Sequence, residues 1–320
     1  MPSRDGNIFM FKKLQWYAGW FRYLWFQKVN KGKEAYAGRY LKRTYLDHQK
    51  ANDYICDLIR KGDPFLVCRL GTGEAFAMRT YEFGHKKNKN KALKQICDCA
   101  GFFPCEEEYA MRFLDCMKDA MTMADGFGTA LVPLDYYFVK KKLPKQSVTM
   151  NIAGMIPIGV ESPWSSLLKG RKVLVVHPFS ATIRKQYDEN REKLFPGLDI
   201  LPQFELICYK AVQTSAGEVD ERFQTWFEAL SFMESEIEKI EYDIALLGCG
   251  AYGMPLAAWM KEQGKMTIHI GGALQTLFGI KGKRWDENGT SAMYNEYWCY
   301  PSDEETPKGN GMIEGGCYWK

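Results

Sequence analysis

The chain has 320 residues, of which 46% are hydrophobic, and its formal net charge at pH 7 is +4. This length allows one large domain or two ordinary ones. The mild charge, with no RNA-recognition, zinc-finger or helix-turn-helix pattern, predicts no nucleic-acid partner. Ten cysteines are scattered without a paired metal-binding spacing, which favours a reduced, cytoplasmic protein over a zinc-binding or disulfide-rich one.

Residues 9–29 combine many aromatic side chains with basic charges only. No uncharged run approaches the roughly 20 residues that a membrane span needs, and no secretory cleavage pattern follows. We therefore expect residues 1–33 to form a separate aromatic and basic helix. Two roles stay open for it. The helix lies on an anionic bilayer surface, at the inner face of the membrane, or it packs on the body of the protein or on a second subunit.

The next part of the chain predicts a long helix over 34–61 and a buried strand over 65–70. Further on we expect a basic polar loop at 84–91 and two helices, at 92–100 and 106–124. Two weaker strands are expected at 129–132 and 147–152, with a lysine-rich surface turn at 140–142 between them.

From residue 171 the pattern becomes regular, with short apolar runs alternating with amphipathic segments. The predicted strands are 172–176, 204–208, 243–247 and 266–270, and the predicted helices are 181–194, 220–240, 252–263 and 273–278. Such alternation with short loops predicts parallel βαβ units. The fold class expected is α/β, a Rossmann-like and mostly parallel sheet flanked by helices. This domain spans 34–282, with its regular half at 171–282, and an irregular tail follows at 283–320.

The strongest candidate for chemistry follows the strand at 65–70, in the sequence Arg69-Leu-Gly-Thr-Gly-Glu74. Gly71 and Gly73 allow a sharp turn and a close approach to a ligand, and Thr72 is suited to cap the next helix. Arg69 and Glu74 bracket the turn at the carboxyl end of a strand, where open α/β sheets bind ligands. The alternative is purely structural, with Glu74 favouring the dipole of the helix that it begins.

Two further strand ends carry polar residues. His177 ends one predicted strand and Ser180 can cap the following helix, whose free N–H groups would suit a phosphate; a packed histidine beside a capped helix is the alternative. Lys210, after the next strand, could meet a diphosphate or could be an ordinary solvated lysine.

The segment from Gly248 to Gly253 follows a strand and has the G-x-G-x-x-G spacing of dinucleotide-binding turns, with glycines at 248, 250 and 253 and Tyr252 inside it. The next strand ends at His269 without an acidic residue to hold a ribose, which argues against a nicotinamide cofactor. The alternative that remains is a turn whose backbone comes close to the phosphate or ribose of another ligand. A second glycine turn at 270–273 suggests a crevice for an extended ligand.

Three segments together, RLGTGE (69–74), VVHPFS (175–180) and the block 244–275, resemble the GT-D fold glycosyltransferase family, which is found with bacterial surface-polysaccharide and adhesin glycosylation. The resemblance covers most of 60–282. It implies a Rossmann-like domain, a UDP-sugar donor and a divalent metal, Mn²⁺ or Mg²⁺, bound by D-x-E within R-F-G-D-G-E. This sequence keeps the glutamate as Glu74 and has Thr72 at the aspartate position.

That difference matters because hard divalent cations prefer carboxylate oxygens. Three alternatives follow. Thr72 and Glu74 still bind a metal together with diphosphate oxygens; or Lys210 or a helix N-terminus replaces the metal; or transfer is lost and binding remains.

The function expected is a hexosyl-type glycosyltransferase that moves a sugar from a UDP-sugar to a carbohydrate or glycolipid acceptor in surface-polysaccharide synthesis. Glu74 and Arg69 are the expected catalytic residues, and Glu74 and Thr72 the metal ligands. The expected nucleotide-sugar contacts are Gly71, Thr72, Gly73, His177, Ser180, Lys210, Gly248, Gly250, Tyr252 and Gly253. Asp286 and Glu296 are candidate bases. The alternatives are a non-catalytic nucleotide-binding partner of a polysaccharide assembly complex, and another nucleotide-dependent Rossmann-like enzyme such as an oxidoreductase or methyltransferase.

Overall fold

A computed structural model describes residues 4–84, 86–131, 133–286 and 290–320. Its strands form one eight-stranded sheet in the order β1-β4-β3-β2-β8-β7-β5-β6, and every pair of neighbours is parallel. The strands are Tyr45–Leu46 (β1), Phe65–Arg69 (β2), Gly126–Thr129 (β3), Val148–Asn151 (β4), Lys172–His177 (β5), Glu205–Lys210 (β6), Ile244–Leu247 (β7) and Met266–His269 (β8). The predicted α/β class is confirmed, and both halves of the chain share the sheet.

Helices cover both faces of the sheet. They are Arg4–Val29 (α1), Ala37–Leu41 (α2), His48–Lys61 (α3), Thr72–Phe83 (α4), Lys86–Ala100 (α5), Glu107–Thr122 (α6), Pro133–Lys142 (α7), Ser180–Leu194 (α8), Trp226–Ile237 (α9), Gly253–Glu262 (α10), Leu274–Leu277 (α11) and Lys283–Asp286 (α12). No described helix is both long enough and apolar enough to cross a bilayer.

The core has two layers because successive side chains of a strand point to opposite faces. In β5, Leu174 and Val176 belong to one buried cluster, and Val173 and Val175 belong to the other. A parallel sheet needs this cover on both faces, which explains why its strands are continuous apolar runs without polar alternation.

The register brings the polar ends of several strands to one edge. Val67 of β2 lies opposite Ile268 of β8, Leu247 of β7 lies opposite His269 of β8, and Val176 of β5 lies opposite Leu247. The carboxyl ends of these four strands are therefore neighbours, although they come from distant parts of the chain.

The predicted single helix over 34–61 is interrupted at 42–47, between α2 and α3. Lys42 has a left-handed backbone with φ of 56° and ends α2. Asp47 then caps α3 by accepting a hydrogen bond from the Lys50 N–H at 3.0 Å. The two residues of β1 lie between these helices and pair with β4.

Other boundaries also differ. The predicted basic loop at 84–91 is largely the start of α5, residue 85 lying outside the described residues, and the predicted lysine turn at 140–142 is the last turn of α7. Lysines there complement the negative end of the helix dipole.

The helix predicted at 220–240 is shorter, because Thr225 caps α9 by accepting from the Glu228 N–H at 3.2 Å. The strand predicted at 129–132 is β3, which ends at Thr129; residue 132 lies outside the described residues.

The tail at 283–320 is irregular but buried. Trp285, Trp298 and Trp319 are 3–4% exposed, and residues of the tail pack into the second apolar cluster.

Cys97 and Cys105 form a disulfide, with Cα atoms 6.1 Å apart, which corrects the expectation of fully reduced cysteines.

Candidate functional site

The carboxyl edge of the sheet has the geometry of a ligand-binding edge. β5 connects through α8 to β6 on its outer side, whereas β7 connects through α10 to β8 on the opposite side. Connections that diverge from neighbouring parallel strands open a crevice between their carboxyl ends. The switch point lies between β5 and β7; β8 is the next strand beyond β7, and β2, which carries Arg69 and leads to Glu74, lies beyond β8.

Glu74 lies in the first turn of α4 and its side chain folds back over Gly71. A Cβ atom on Gly71 would collide with the Glu74 carboxylate, so glycine leaves the space that this side chain occupies. Gly71, not Thr72, is the N-cap residue, without a side-chain cap. Thr72 is the first helical residue and is exposed. The Thr72 hydroxyl and the Glu74 carboxyl thus both belong to the N-terminal turn of α4.

The Glu74 carboxyl is desolvated. Burial raises its pKa above the ordinary value, and only part of this shift is opposed by a backbone hydrogen bond and by the positive charge of Arg69. Among the described residues no salt bridge joins Arg69 to Glu74, although the two residues bracket the same turn. A carboxyl in this state is stabilised by any cation that comes to it.

Arg69 lies on the glycine turn after β8. A Cβ atom built on Gly271, whose φ is +74°, would be 3.1 Å from Arg69 Nη1. The buried Arg69 Nε has no hydrogen-bond partner. An arginine that retains an unused donor at a strand end can bind an anionic group that enters the crevice.

The predicted 248–253 turn joins the same edge. A Cβ on Gly248 would be 2.8 Å from the Gly271 carbonyl oxygen and 2.6 Å from the His177 ring, and a Cβ on Gly253 would collide with His269. Gly250 is exposed, with φ of +58°, a conformation that favours glycine. Contacts from Arg69 to Gly271 and from Gly271 to Gly248 therefore link the two glycine turns with the Glu74 region.

Tyr252 does not face this edge. Its ring stacks on Trp226 with centroids 4.9 Å apart, and its hydroxyl lies 3.1 Å from the Thr214 hydroxyl. The side chain is 2% exposed. The structure thus assigns Tyr252 to the core, which corrects the expectation that it contacts a nucleotide.

His177 and His269 are buried and neutral. Burial lowers the pKa of each to about 3. His177 Nδ1 accepts a hydrogen bond from the Phe179 N–H at 2.9 Å, so its hydrogen is on Nε2, which has no partner. A neutral imidazole cannot neutralise a phosphate by charge, although the His177 Nε2–H can donate one hydrogen bond.

The N-terminus of α8 already holds a carboxylate from the tail. Glu305 accepts hydrogen bonds from the Ala181 and Thr182 N–H groups at 2.8 and 3.2 Å, and another from the Thr182 hydroxyl. Ser180 is the first residue of α8 and Phe179 is the N-cap, so Ser180 does not cap the helix as predicted. A phosphate at Ser180 would have to displace Glu305.

Lys210 ends β6 at the outer edge of the sheet and is exposed. β6 lies four strands from β2, which is about 19 Å at the usual spacing of strands. Lys210 is therefore too far from Glu74 to share one diphosphate with it. It lines a separate groove of about 740 Å³ with Asp220, Arg222 and Glu304.

Glu296, one of the two candidate bases, lies away from the glycine turns. Glu296 is exposed, and the Asn295 beside it donates to the Leu194 carbonyl at the C-terminal end of α8. α8 begins at the carboxyl edge of the sheet and runs back to the start of β6, so its C-terminal end lies at the opposite edge. One Asp286 oxygen accepts from the Tyr300 hydroxyl at 3.0 Å within the tail.

Three residues of the tail near this edge were missed by the sequence analysis. A Cβ on Gly272 would collide with the Tyr318 ring. Arg284 donates to the Tyr318 hydroxyl at 3.2 Å and forms a salt bridge with Glu314. The negative charge of Glu314 contributes to the raised pKa of Glu74. The tail has no periodic pattern, so no sequence signal predicted this placement.

The residues at α4 suit a divalent metal only in part. Across the ranges that the structure describes, no group of three His, Cys, Asp or Glu residues could hold a metal ion. Glu74 and Thr72 offer one carboxylate and one hydroxyl. Mg²⁺ commonly binds one or two carboxylates and completes its shell with substrate phosphates and water. The two side chains fit a site of that kind, which a diphosphate would complete.

A model of the GT-D fold-like domain matches residues 46–277 of the chain. The chain belongs to the GT-D-like family. The match contains the carboxyl ends of all eight strands and therefore both glycine turns, whereas α1 and the tail lie outside it. Searching curated proteins produced no match.

Two solved structures are similar to this GT-D-like chain. Both are of domain of unknown function 1792, one a selenomethionine-substituted form and the other described as having a distinct glycosyltransferase fold. Each is 14% identical with a TM-score of 0.45; they cover 84% and 85% of this chain, and 95% of each neighbour is matched. The family assignment rests on the domain model and not on these two likenesses.

Proposed function

We propose that this GT-D-like protein is a glycosyltransferase that moves a sugar from a UDP-sugar to a carbohydrate or glycolipid acceptor. The observation that carries the proposal is the cluster that Glu74, Arg69 and two glycine turns from separate parts of the chain form at one sheet edge. Membership of the GT-D-like family supports the same activity. A role in bacterial surface-polysaccharide synthesis, on the cytoplasmic side, is the setting that we propose for it.

Transfer breaks the bond between the sugar C1 and the diphosphate and forms one between C1 and an acceptor hydroxyl oxygen, whose proton passes to water or to the departing diphosphate. The departing UDP takes the electron pair, so negative charge grows on the diphosphate and must be stabilised. Arg69 has an unused donor for this purpose, and backbone N–H groups at the start of α4 and at Gly250 can add hydrogen bonds. A divalent metal held by Glu74 and Thr72 would supply further positive charge.

The first test measures UDP release from a UDP-sugar by the purified protein with Mn²⁺. Glu74→Gln keeps the shape of the side chain and removes its charge, and Glu108→Gln removes an exposed carboxylate in the first turn of α6 as the matched control. We expect Glu74→Gln to lower the rate by about 100-fold or more, with the control unchanged. Equal rates for both variants would remove Glu74 from the mechanism.

We propose that the groove beside Lys210 holds a remote part of an extended acceptor, away from the reacting hydroxyl, because the groove lies about 19 Å from Glu74. It adjoins the carboxyl edge, and its mixed lining of acidic and basic side chains suits a hydroxyl-rich molecule. Lys210→Ala should then raise the KM for the acceptor by about tenfold, the value of one charged hydrogen bond. UDP release without acceptor should not change. A loss of donor hydrolysis in this variant would place Lys210 in the donor site instead.

Thermal melting of the protein with UDP, NAD or S-adenosylmethionine tests which of these nucleotides it binds. The glycine spacing at 248–253 also suits enzymes that use NAD or S-adenosylmethionine, and we expect stabilisation by UDP and not by these two. Stabilisation by NAD alone would favour an oxidoreductase. Binding of UDP without any transfer or hydrolysis would favour a non-catalytic nucleotide-binding partner of an assembly complex.

A further inference from the structure

The helix α1 presents a second apolar face to solvent. Its inner face packs on the body, where Trp16 stacks on Phe83 at 5.4 Å and Phe26 stacks on Tyr40 at 5.0 Å. Its outer face carries large side chains that are 38–67% exposed: Leu14, Tyr17, Trp20, Phe21, Trp25 and Val29. A helix that is apolar on both faces is stable only if each face meets an apolar environment.

This outer face is unusual within the molecule. Of the eleven large hydrophobic side chains that are exposed in the described residues, six lie on α1. Leu14, Phe21 and Trp25 follow helical spacing, so they form one continuous stripe. A contiguous exposed apolar patch marks an interaction site, whereas scattered apolar residues need no explanation.

The surroundings of the stripe are basic. Between residues 6 and 33 the sequence contains six lysines and arginines and no acidic residue, and Lys28 and Lys31 are exposed. α7 packs against α1 and ends in three lysines. Its Lys140 Nζ lies 5.6 Å from the Tyr136 ring, and the Arg22 guanidinium of α1 lies 5.5 Å from the same ring. The tertiary structure thus places Lys140 of α7 beside Arg22 of α1.

We propose that the outer face of α1, with the basic flank of α7, binds the surface of an anionic lipid bilayer. Aromatic and leucine side chains would enter the boundary between headgroups and acyl chains, and the lysines would contact anionic headgroups. The charge favours this occupant over a second copy of the chain, because a symmetric contact through α1 would bring two basic surfaces together. Membrane binding would also hold the proposed transferase near a glycolipid acceptor, but it does not depend on that activity.

The test is sedimentation of the full-length protein with phosphatidylcholine vesicles, with and without phosphatidylserine. We expect binding that needs phosphatidylserine and weakens as salt screens the charges. The combined variant Leu14→Gln, Phe21→Gln and Trp25→Gln should lose at least about tenfold in partitioning, because three apolar side chains no longer enter the interface. Lys28→Glu with Lys31→Glu should weaken binding to the anionic vesicles only.

The matched control replaces exposed apolar residues elsewhere, Met111→Gln and Leu198→Gln, and should bind like the unaltered protein. Because all the replaced side chains are exposed, unchanged thermal melting of each variant checks that the fold is kept. Equal vesicle binding by the α1 variant and the control would overturn the proposal. So would a dimer of the unaltered protein that the α1 variant converts to a monomer without any vesicle binding, since a second copy would then cover the face.

Discussion

Gly71 shows how a single missing methyl group makes room for the carboxylate of a neighbouring residue. Its φ of −70° is accessible to any residue, so the need for glycine is not conformational. The need comes from Glu74, whose carboxylate occupies the position that a Cβ would take. The glycine of this motif is therefore explained by the side chain three residues later.

We expect Gly71→Ala to displace the Glu74 carboxylate without removing it. UDP release should fall by about tenfold or more, since small misplacements of a reacting group are costly, while the fold is retained. Gly311→Ala is the control, because a Cβ there meets nothing within 4 Å. If Gly71→Ala is fully active, the contact between Gly71 and Glu74 has no role in positioning the carboxylate.

Glu74 should also lower the stability of the protein at neutral pH. Its folded-state pKa is raised by burial, so ionisation costs more in the folded state than in the unfolded state. That cost is absent below the ordinary pKa of glutamate and grows as pH rises through the folded-state pKa. Glu74→Gln should therefore be more stable than the unaltered protein at neutral pH and no more stable in acid. Denaturant titrations at several pH values measure the difference, and a constant difference would contradict the assigned cause.

At the scale of the element, α8 is an example of a helix whose cap comes from far along the chain. Glu305 lies about 120 residues after the helix N-terminus that it satisfies, with sequence separations of 124 and 123 for its two N–H contacts. A carboxylate is favoured at that end of a helix by hydrogen bonding and by the dipole. The same N–H groups are thereby withheld from a phosphate, which distinguishes α8 from α4.

Glu305→Ala should cost about 1–2 kcal/mol of the free energy of unfolding, the usual effect of losing a helix cap. Glu304→Ala is the control, since Glu304 is exposed, and its effect should stay within about 0.5 kcal/mol. Denaturant unfolding of the two variants measures both values. Equal small effects would mean that water replaces the Glu305 carboxylate without loss.

At the scale of the whole molecule, the tail completes the fold although it lies outside the family match. Trp319 is 3% exposed, packs edge-on against Phe179 at 5.8 Å, and donates its indole N–H to the Glu305 carbonyl at 3.2 Å. Tyr318 covers Gly272 in the same segment. The tail thus connects the second apolar cluster with the carboxyl edge of the sheet.

Trp319→Ala should destabilise the protein by about 3–5 kcal/mol, because it leaves a cavity in a packed cluster. Trp25→Ala, at a side chain that is 44% exposed on α1, should change stability by no more than about 0.5 kcal/mol. Thermal or denaturant unfolding compares them. A small effect of Trp319→Ala would show that the tail is only loosely attached.

Much of the architecture was available from the sequence. Apolar runs of strand length, separated by helical patterns, predicted the parallel α/β sheet and located β5, β7 and β8 to within a residue or two. Glycines after β2 and β7 predicted the turns at the carboxyl edge of the sheet. These features are local, because strand length, helical spacing and turn residues depend on neighbours in the chain.

The tertiary structure alone decided which of the predicted site residues meet. It brought Arg69 to Gly271 and Gly271 to Gly248 by placing β8 between β2 and β7, and it put Lys210 on the far edge. It also turned Tyr252 into the core and supplied Glu305 to α8. Pairing of strands and packing of a tail are contacts between residues far apart in the chain, and no local pattern encodes which partner lies opposite.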